Sequence, residues 1–356
     1  MKKSRENSGV TLIALVITII VLLILASVSI KLFGQEGIIT KARDTGEKTA
    51  DAGIRGDLGS LYDVVDGVPI PKGFQPSGIP GENTKAEGLV IIDEVNGNEF
   101  VWVPVKDLEQ DGTMDGTNYN QQFGRRVFGR TISLGGTAQI ANRFTENIEE
   151  NDSDLIQSVE KYGGFYIARY EASYEDGKVV SKPSTTATED SWTPTNGRLW
   201  NYISQLDAIT ICNAMYGDEA EVKAHLPYGA EWDSILQWFK QTEFSNSNTP
   251  IGEDSTTWGN YYNASFTYGE GLTKALNTET LINTGSTEYT KVNNIYDMAG
   301  NLMEWTQEKR GTETSRASRG GDCASKGSSA PAGYRYYRSE PDGIYRIGFR
   351  PSLYIK

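Results

Sequence analysis

In the stretch Asn294-Ile295-Tyr296-Asp297-Met298-Ala299-Gly300-Asn301-Leu302-Met303-Glu304-Trp305, apolar side chains are interrupted by Asn294, Asp297, Gly300 and Asn301, residue types that turn a chain sharply. Two carboxylates, Asp297 and Glu304, and the backbone carbonyls of Gly300 and Leu302 fall within this one turn-rich loop, a set of oxygens suited to a calcium ion. The same residues also suit a metal-free role, with Asp297 capping the loop and Glu304 hydrogen-bonding buried backbone.

Outward from this loop, short apolar or alternating runs predict strands: residues 89–92, Phe100-Val101-Trp102-Val103-Pro104-Val105 and Phe165-Tyr166-Ile167-Ala168-Arg169-Tyr170. Residues 204–216 place Leu206, Ile209, Ile211, Cys212 and Met215 mainly along one side, and residues 230–239 contribute Trp232, Ile235, Leu236 and Phe239, so both predict helices. The long polar stretches 107–154 and 174–196 read as loops or insertions, and no internal repeat is present. Trp102, Tyr166, Trp232, Trp305 and Phe349 are expected in the core, and His225 is expected to be solvated or structural rather than a general base.

Several separated segments follow in a fixed order. They are Gly164-Phe165-Tyr166-Ile167-Ala168-Arg169-Tyr170-Glu171-Ala172, Asp207-Ala208 to Cys212-Asn213, Leu226-Pro227-Tyr228-Gly229-Ala230-Glu231-Trp232, the opening stretch, Arg319-Gly320-Gly321 and Ile347-Gly348-Phe349-Arg350. This series resembles the formylglycine-generating, or sulfatase-modifying-factor, domain, a variant of the C-type lectin fold, over residues 89–356. The resemblance implies calcium at Asp297, Gly300, Leu302 and Glu304. Enzymatic members of that family oxidise a substrate cysteine with a pair of cysteines that bind copper, and two soft thiolates are what copper(I) requires. Here Cys323 alone lies in that region, Ala332 or Gly333 takes the place of the second, and Cys212 falls where the family carries a buried structural cysteine. The catalytic pair is missing, so neither copper nor enzymatic activity is expected.

Residues 322–346 are rich in Tyr, Ser, Gly and short polar side chains, the composition of antibody paratopes, in which tyrosine gives contact area at low rotamer cost. Their position between Arg319-Gly320-Gly321 and Ile347-Gly348-Phe349-Arg350 resembles the variable region of diversity-generating retroelement target proteins. From that resemblance Asp322, Cys323, Ser325, Lys326, Ser328, Tyr334, Tyr337, Arg338, Glu340, Asp342 and Tyr345 are expected to contact a ligand. An ordinary Gly/Ser/Tyr-rich loop of the fold is the plainer alternative.

At the other end, residues 10–30 hold no charge and only Thr11, Thr18, Ser27 and Ser29 as polar interruptions, enough for a helix of about 31 Å against a bilayer core of about 30 Å. Lys2, Lys3 and Arg5 precede it, which places the short N-terminus in the cytoplasm and the rest outside the cell. Ser8-Gly9-Val10-Thr11-Leu12-Ile13-Ala14 resembles a type IV prepilin leader cut between Gly9 and Val10, with Ala14 where that family usually carries Glu. The expected organisation is a leader over 1–9, a transmembrane helix over 10–32, an amphipathic stem over 33–66, a Pro/Gly linker over 67–88 and the C-type lectin-like domain over 89–356.

The expected fold class is therefore α+β: a transmembrane, pilin-like helix followed by a C-type lectin-like domain of the formylglycine-generating-enzyme type with many loops. A net charge of -13 disfavours nucleic acid, which needs clustered Lys and Arg. One histidine makes histidine-based metal sites and Ser-His-Asp chemistry implausible unless His225 serves alone. The expected function is a membrane-anchored display protein that recognises an extracellular protein or glycan, with other pilin-like subunits and a prepilin peptidase as further candidate partners. A formylglycine-generating oxidase and a purely structural pilin subunit are the rivals.

Overall fold

The computed structural model describes residues 63–105, 123–128, 144–185, 193–218, 220–310, 315–339 and 343–356. The expected leader, the membrane helix and the stem up to residue 62 lie outside the described residues, as do Glu340 and Asp342 of the expected contact set. Among the described residues no helix is long and apolar enough to cross a membrane.

The described chain begins with a hairpin, β1 (Asp63–Val65) and β2 (Val68–Ile70), whose turn places Asp66 and Gly67 at φ of 50° and 72°. There follow β3 (Phe74–Pro76), β4 (Val90–Asp93), β5 (Glu99–Pro104), β6 (Phe144–Thr145), the helices α1 (Ile148–Asn151) and α2 (Ser153–Tyr162), then β7 (Gly164–Ala168), β8 (Ser173–Glu175) and β9 (Lys178–Val180). Helix α3 (Gln205–Asn213), β10 (Val222–His225) and α4 (Gly229–Thr242) form the middle. Strands β11 (Phe266–Tyr268), β12 (Leu272–Lys274), β13 (Lys291–Val292), β14 (Ile295–Tyr296), β15 (Met303–Arg310), β16 (Ser315–Arg319), β17 (Arg335–Ser339), β18 (Ile347–Gly348) and β19 (Ser352–Ile355) complete it. The architecture is α+β, mostly strand, with few helices.

Six strands make one antiparallel sheet in the order β10-β19-β7-β5-β4-β3, so the C-terminal strand β19 lies inside the sheet between β7 and β10. Both faces of this sheet are covered. Val101, Val103, Phe165, Ile167 and Tyr354 point to one cluster, shared with Trp232, Ile235 and Phe239 of α4. Phe100, Trp102, Tyr166, Ala168, Leu353 and Ile355 point to another. Burial on both sides explains why these strands read as unbroken apolar runs instead of an apolar/polar alternation. A second sheet runs β17-β16-β15-β18, with β15 and β18 parallel and β6 pairing the far end of β15. Helix α3 packs behind it through Ala208 and Cys212 onto Trp200, Trp305 and Phe349.

The structure corrects two expectations of organisation. Residues 67–88 carry β2 and β3, and the compact unit extends from Leu61 to Lys356 instead of starting at residue 89. Val68, Ile70, Phe74 and Leu89 are buried in the second cluster, and β3 is the edge of the six-stranded sheet, where proline is tolerated because its missing N–H faces outward. The same composition that marks a linker also marks tight turns between short buried strands. Residues 63–66, expected in the stem, form β1 and its turn. The loop stretches are shorter than expected as well: β6 and α1 lie within residues 107–154, and β9 lies within 174–196.

The loop that opened the sequence reading is held by left-handed backbone at Asn293, Asn294, Asp297, Gly300 and Asn301. The Asn294 side-chain amide donates to the carbonyls of Gly81, Glu87 and Gly88 at 2.7–3.0 Å, tying residues 81–88 down. Asn301 donates to Glu171 Oε2 (2.5 Å) and accepts from Asn260 (2.8 Å) and the amide of Ile282 (3.0 Å). Gly300, at φ 73°, passes so close to Asn260 that an added Cβ would stand 2.3 Å from its carbonyl oxygen. Gly300→Ala combines a left-handed penalty with that clash and is expected to destabilise the protein by about 2–4 kcal/mol in urea unfolding.

Candidate functional site

Arg319 ends β16, Arg335 begins β17, and the two are direct partners across the strands. Two like charges facing each other in a dry interior repel, and two carboxylates resolve the conflict. Asp233, on α4, takes Arg319 Nη2 on Oδ1 (2.6 Å) and Arg335 Nη2 on Oδ2; Glu308, on β15, takes Arg319 Nη1 on Oε2 (3.0 Å) and Arg335 Nε on Oε1 (2.8 Å). All four side chains are at most 2% exposed, so they form a closed, electrically neutral ring. Burial alone would raise the Asp233 carboxyl, but the Arg319 and Arg335 guanidiniums outweigh it and hold the group below the usual range. Gly229 makes room for the ring, because a Cβ there would lie 2.2 Å from the Glu308 carboxyl carbon. The ring also sets the start of the contact segment, since Arg319 Nε donates to the Tyr334 carbonyl at 3.2 Å.

Beyond the ring, β17 carries the tyrosines outward. Tyr337 is 39% exposed, while Tyr334, Tyr336 and Arg338 are half-buried. The Tyr334, Tyr336 and Tyr337 rings succeed one another at centroid separations of 6.3 and 6.0 Å. The Arg310 guanidinium lies 3.4 Å from the Tyr337 ring centroid, and Arg338 lies 5.2 Å from that of Tyr336. Tyr345, half-buried, faces Tyr202 at 6.4 Å, and Asn201 donates to its carbonyl at 2.7 Å. Tyr202 has left-handed backbone, φ 53°, beside a shallow cavity of about 230 Å3 lined by Trp200, Tyr202, Ile203, Asp207, Thr210 and Ile211.

Of the other expected contacts, Lys326 and Ser328 are exposed and Ser325 is half-buried. They ride on a loop seated against Asn263, which accepts from the Gly327 amide at 3.1 Å. Asp322 and Cys323 are 3% and 0% exposed, which removes them from the contact surface. Asp322 turns this loop through its own acceptors, taking the Ala324 amide on Oδ1 and the Ser325 amide on its carbonyl. Cys323 is tied by its amide to the Asn301 carbonyl, and burial pushes its thiol up to about 12, with Asp322 and Glu279 adding to the effect. Cys212 packs in the α3 cluster, its thiol also raised by burial, and neither cysteine is disulfide-bonded.

The calcium expectation does not fit the geometry. Glu304 gives both oxygens to Arg350, at 2.5 Å to Nη2 and 2.7 Å to Nε. Asp297 Oδ2 accepts from the Thr284 hydroxyl at 2.7 Å, and the Leu302 amide donates to Glu171 at 2.9 Å. Arg350 already stands where a cation would neutralise Glu304, while Asp297 Oδ1 is buried without a hydrogen-bond partner among the described residues. Among the described residues no group of three or more His, Cys, Asp or Glu is arranged to hold a metal. Burial raises the Glu171, Asp297 and Glu304 carboxyls, and Arg350 pulls each back down. His225 is structural: it is 1% exposed, pairs with Glu231 at 2.8 Å and lies between Tyr228 and Tyr354. Ser352 donates to Glu231 and not to His225, so the three do not form a nucleophile relay.

Asp233, Glu308, Arg335, Tyr202 and Arg310 were not singled out in the sequence. A signal for Asp233 was present: α4 is buried from Gly229 to Lys240, and a carboxylate inside such a helix requires a charged partner. Glu146 is a further such group. It accepts the Gly229 and Ala230 amides at the start of α4 (2.6 and 3.0 Å) and borders a cavity of about 310 Å3 with Phe123, Ile148, Ile156 and Val159. Burial, then Glu308, pushes its carboxyl up to about 8 against the pull of Arg125 and the two amides.

The chain is similar to a number of solved structures, three of which align as follows at low identity. The crystal structure of CarF aligns at 16% identity and a TM-score of 0.40, over 65% of this chain and 96% of CarF. Treponema denticola variable protein 1 aligns at 14% and 0.32, over 53% and 95% of the two chains. PvdO from Pseudomonas aeruginosa aligns at 16% and 0.36, over 55% and 82%. No family model matches the sequence, and no curated protein matches it.

Arg335→Ala opens the ring and leaves Asp233 and Glu308 short of one cation, so unfolding free energy is expected to drop by about 3–5 kcal/mol in denaturant titration. Glu146 provides a pH test. Its folded-state value of about 8 exceeds the reference of 4.5, so between these pH values the folded protein retains a proton that the unfolded chain releases. Its contribution therefore falls as pH rises through that window, by at most about 1.4 kcal/mol per pH unit, and Glu146→Gln is expected to flatten the slope.

Proposed function

We propose that this chain is a non-enzymatic recognition protein whose C-terminal segment contacts a ligand outside the cell. In this reading the α+β body is a C-type lectin-like scaffold of the formylglycine-generating-enzyme type, and the apolar segment 10–32 anchors it in the membrane behind a pilin-like leader. Tyr334, Tyr337, Arg338 and Tyr345 are the contacts, with Lys326 and Ser328 on the neighbouring loop. Diversification of this segment by a retroelement belongs to the same proposal, and a template repeat beside the gene, differing at adenines, is its genomic mark.

One observation carries the reading. Tyr337 stands exposed on an outer strand, covered on one face by Arg310, while the residue two positions before it is locked into the buried ring. Large amphipathic side chains on a rigid support lose little freedom on binding, the condition that makes tyrosine an effective hot spot. The oxidase alternative asks for two facing thiolates, whereas Cys212 packs in the α3 cluster and Cys323 is tied by its amide to the Asn301 carbonyl of the central loop.

The test is an array of extracellular proteins and glycans probed with the full chain in detergent micelles. Tyr337→Ala is expected to weaken the retained interaction by about 30-fold, about 2 kcal/mol, with an unchanged unfolding midpoint. Equal binding by the variant would overturn the assignment of the surface.

A further inference from the structure

Helix α1, helix α2, the start of α4 and residues 123–125 border the cavity of about 310 Å3 beside Glu146. Ile156, Val159 and Glu160 of α2 stand three and four positions apart, so helical geometry brings them to one face. Phe123, Ile148 and Ala230 complete the apolar wall, while Glu149 and Glu160 are exposed at the border. The volume is at the small end of ligand cavities, which begin at about 300 Å3, and suits one aromatic ring with a short chain.

The Glu146 side chain is 5% exposed, and each of its oxygens accepts one amide of α4: Oε2 from Gly229 at 2.6 Å and Oε1 from Ala230 at 3.0 Å. A carboxylate offers about four acceptor sites, so two amides do not exhaust it. Arg125 Nε lies 3.8 Å from Oε1, beyond hydrogen-bond distance, and its Nη1 donates to the Phe144 carbonyl. Glu308, already committed to Arg319 and Arg335, adds repulsion. Burial and that repulsion leave the acid reluctant to ionise at neutral pH, with its value pushed up to about 8. A perturbed acid on the wall of an apolar cavity is the usual composition of a small-molecule site. An anion is disfavoured there, because the α4 amides already have Glu146 as their acceptor and Glu149 and Glu160 repel it. A cation touching Glu146 supplies the opposite charge that burial makes necessary.

We infer that this cavity binds a small organic cation, an aryl or alkyl body carrying a primary ammonium, with the body against Phe123, Ile156 and Val159 and the ammonium on Glu146. The site is separate from the C-terminal recognition segment, and either stands without the other. Binding makes no covalent bond but moves a proton. Below pH 8 Glu146 is mostly protonated in the free protein, so the arriving ammonium sends that proton to solvent. Affinity therefore rises with pH until the acid is already ionised.

The probe is phenethylamine, titrated calorimetrically into the full chain in detergent micelles against a blank of micelles alone, with phenethyl alcohol as its uncharged match. The amine is expected to bind about 10-fold tighter than the alcohol at pH 8, to gain about 10-fold or more between pH 6 and pH 8, and to release about one proton at pH 7. The release is read from the heats in buffers of different ionisation enthalpy. Glu146→Gln is expected to bring the amine down to the affinity of the alcohol and to remove both the gain and the release. Ile156→Trp, which fills the cavity, is expected to abolish binding of both compounds. The amine-to-alcohol comparison and the proton release are read on the unaltered chain, so they decide the matter even where a variant fails to fold. Equal binding of amine and alcohol, binding of neither, or a pH gain that survives Glu146→Gln would each overturn the inference.

Discussion

The ring formed by Arg319, Asp233, Arg335 and Glu308 binds four separate elements at one point: β16, α4, β17 and β15. Attraction between buried ions is largely offset by the loss of their hydration, so such a ring adds little net stability and is better understood as a constraint on position. A slip of β17 by one residue would bring a tyrosine to the place of Arg335 and leave Asp233 and Glu308 facing a single cation. Every side chain of the strand would also change face. The outward placement of Tyr337, and hence the proposed recognition surface, follows from this electrostatic register.

A second constraint works through backbone geometry. Five left-handed residues between Asn293 and Asn301 fold the central loop so tightly that side-chain amides replace ordinary secondary structure as the source of hydrogen bonds. Glu171 receives this loop through Asn301 and Leu302, and Arg350 receives the following strand through Glu304. A positive guanidinium from within the chain thereby neutralises Glu304, one of the two carboxylates the sequence offered either to calcium or to a metal-free loop. The buried acids are raised toward neutrality by burial and held back by one arginine, a balance set by this protein's own residues.

The strands buried on both faces and the apolar α4 were legible because their side chains follow the periods of their elements; α3 was legible as a helix, but it buries Gln205, Ala208 and Cys212, and Leu206, read with its apolar side, is 53% exposed. The central loop was legible as a loop, since Asn, Asp and Gly have local reasons to turn. Residues 67–88 were misjudged because proline and glycine give the same signature in a tether as in turns between three-residue strands. The charged ring was illegible because it joins residues up to 102 positions apart, and no local pattern records which arginine meets which carboxylate. Burial separated the true surface of the C-terminal segment from its supports: composition marks Asp322 and Tyr337 alike, yet the first points inward to turn a loop and the second faces solvent.

Strand β19 lies between β7 and β10, two strands that precede it by well over a hundred residues. The six-stranded sheet therefore stays divided during synthesis until residues 352–355 leave the ribosome, and β19 is the strand that β10 pairs with among the described residues. Long-range pairings of this kind slow folding, because chain must be closed into large loops before contacts reward it. Closure is therefore late: the domain locks only once its final strand has arrived.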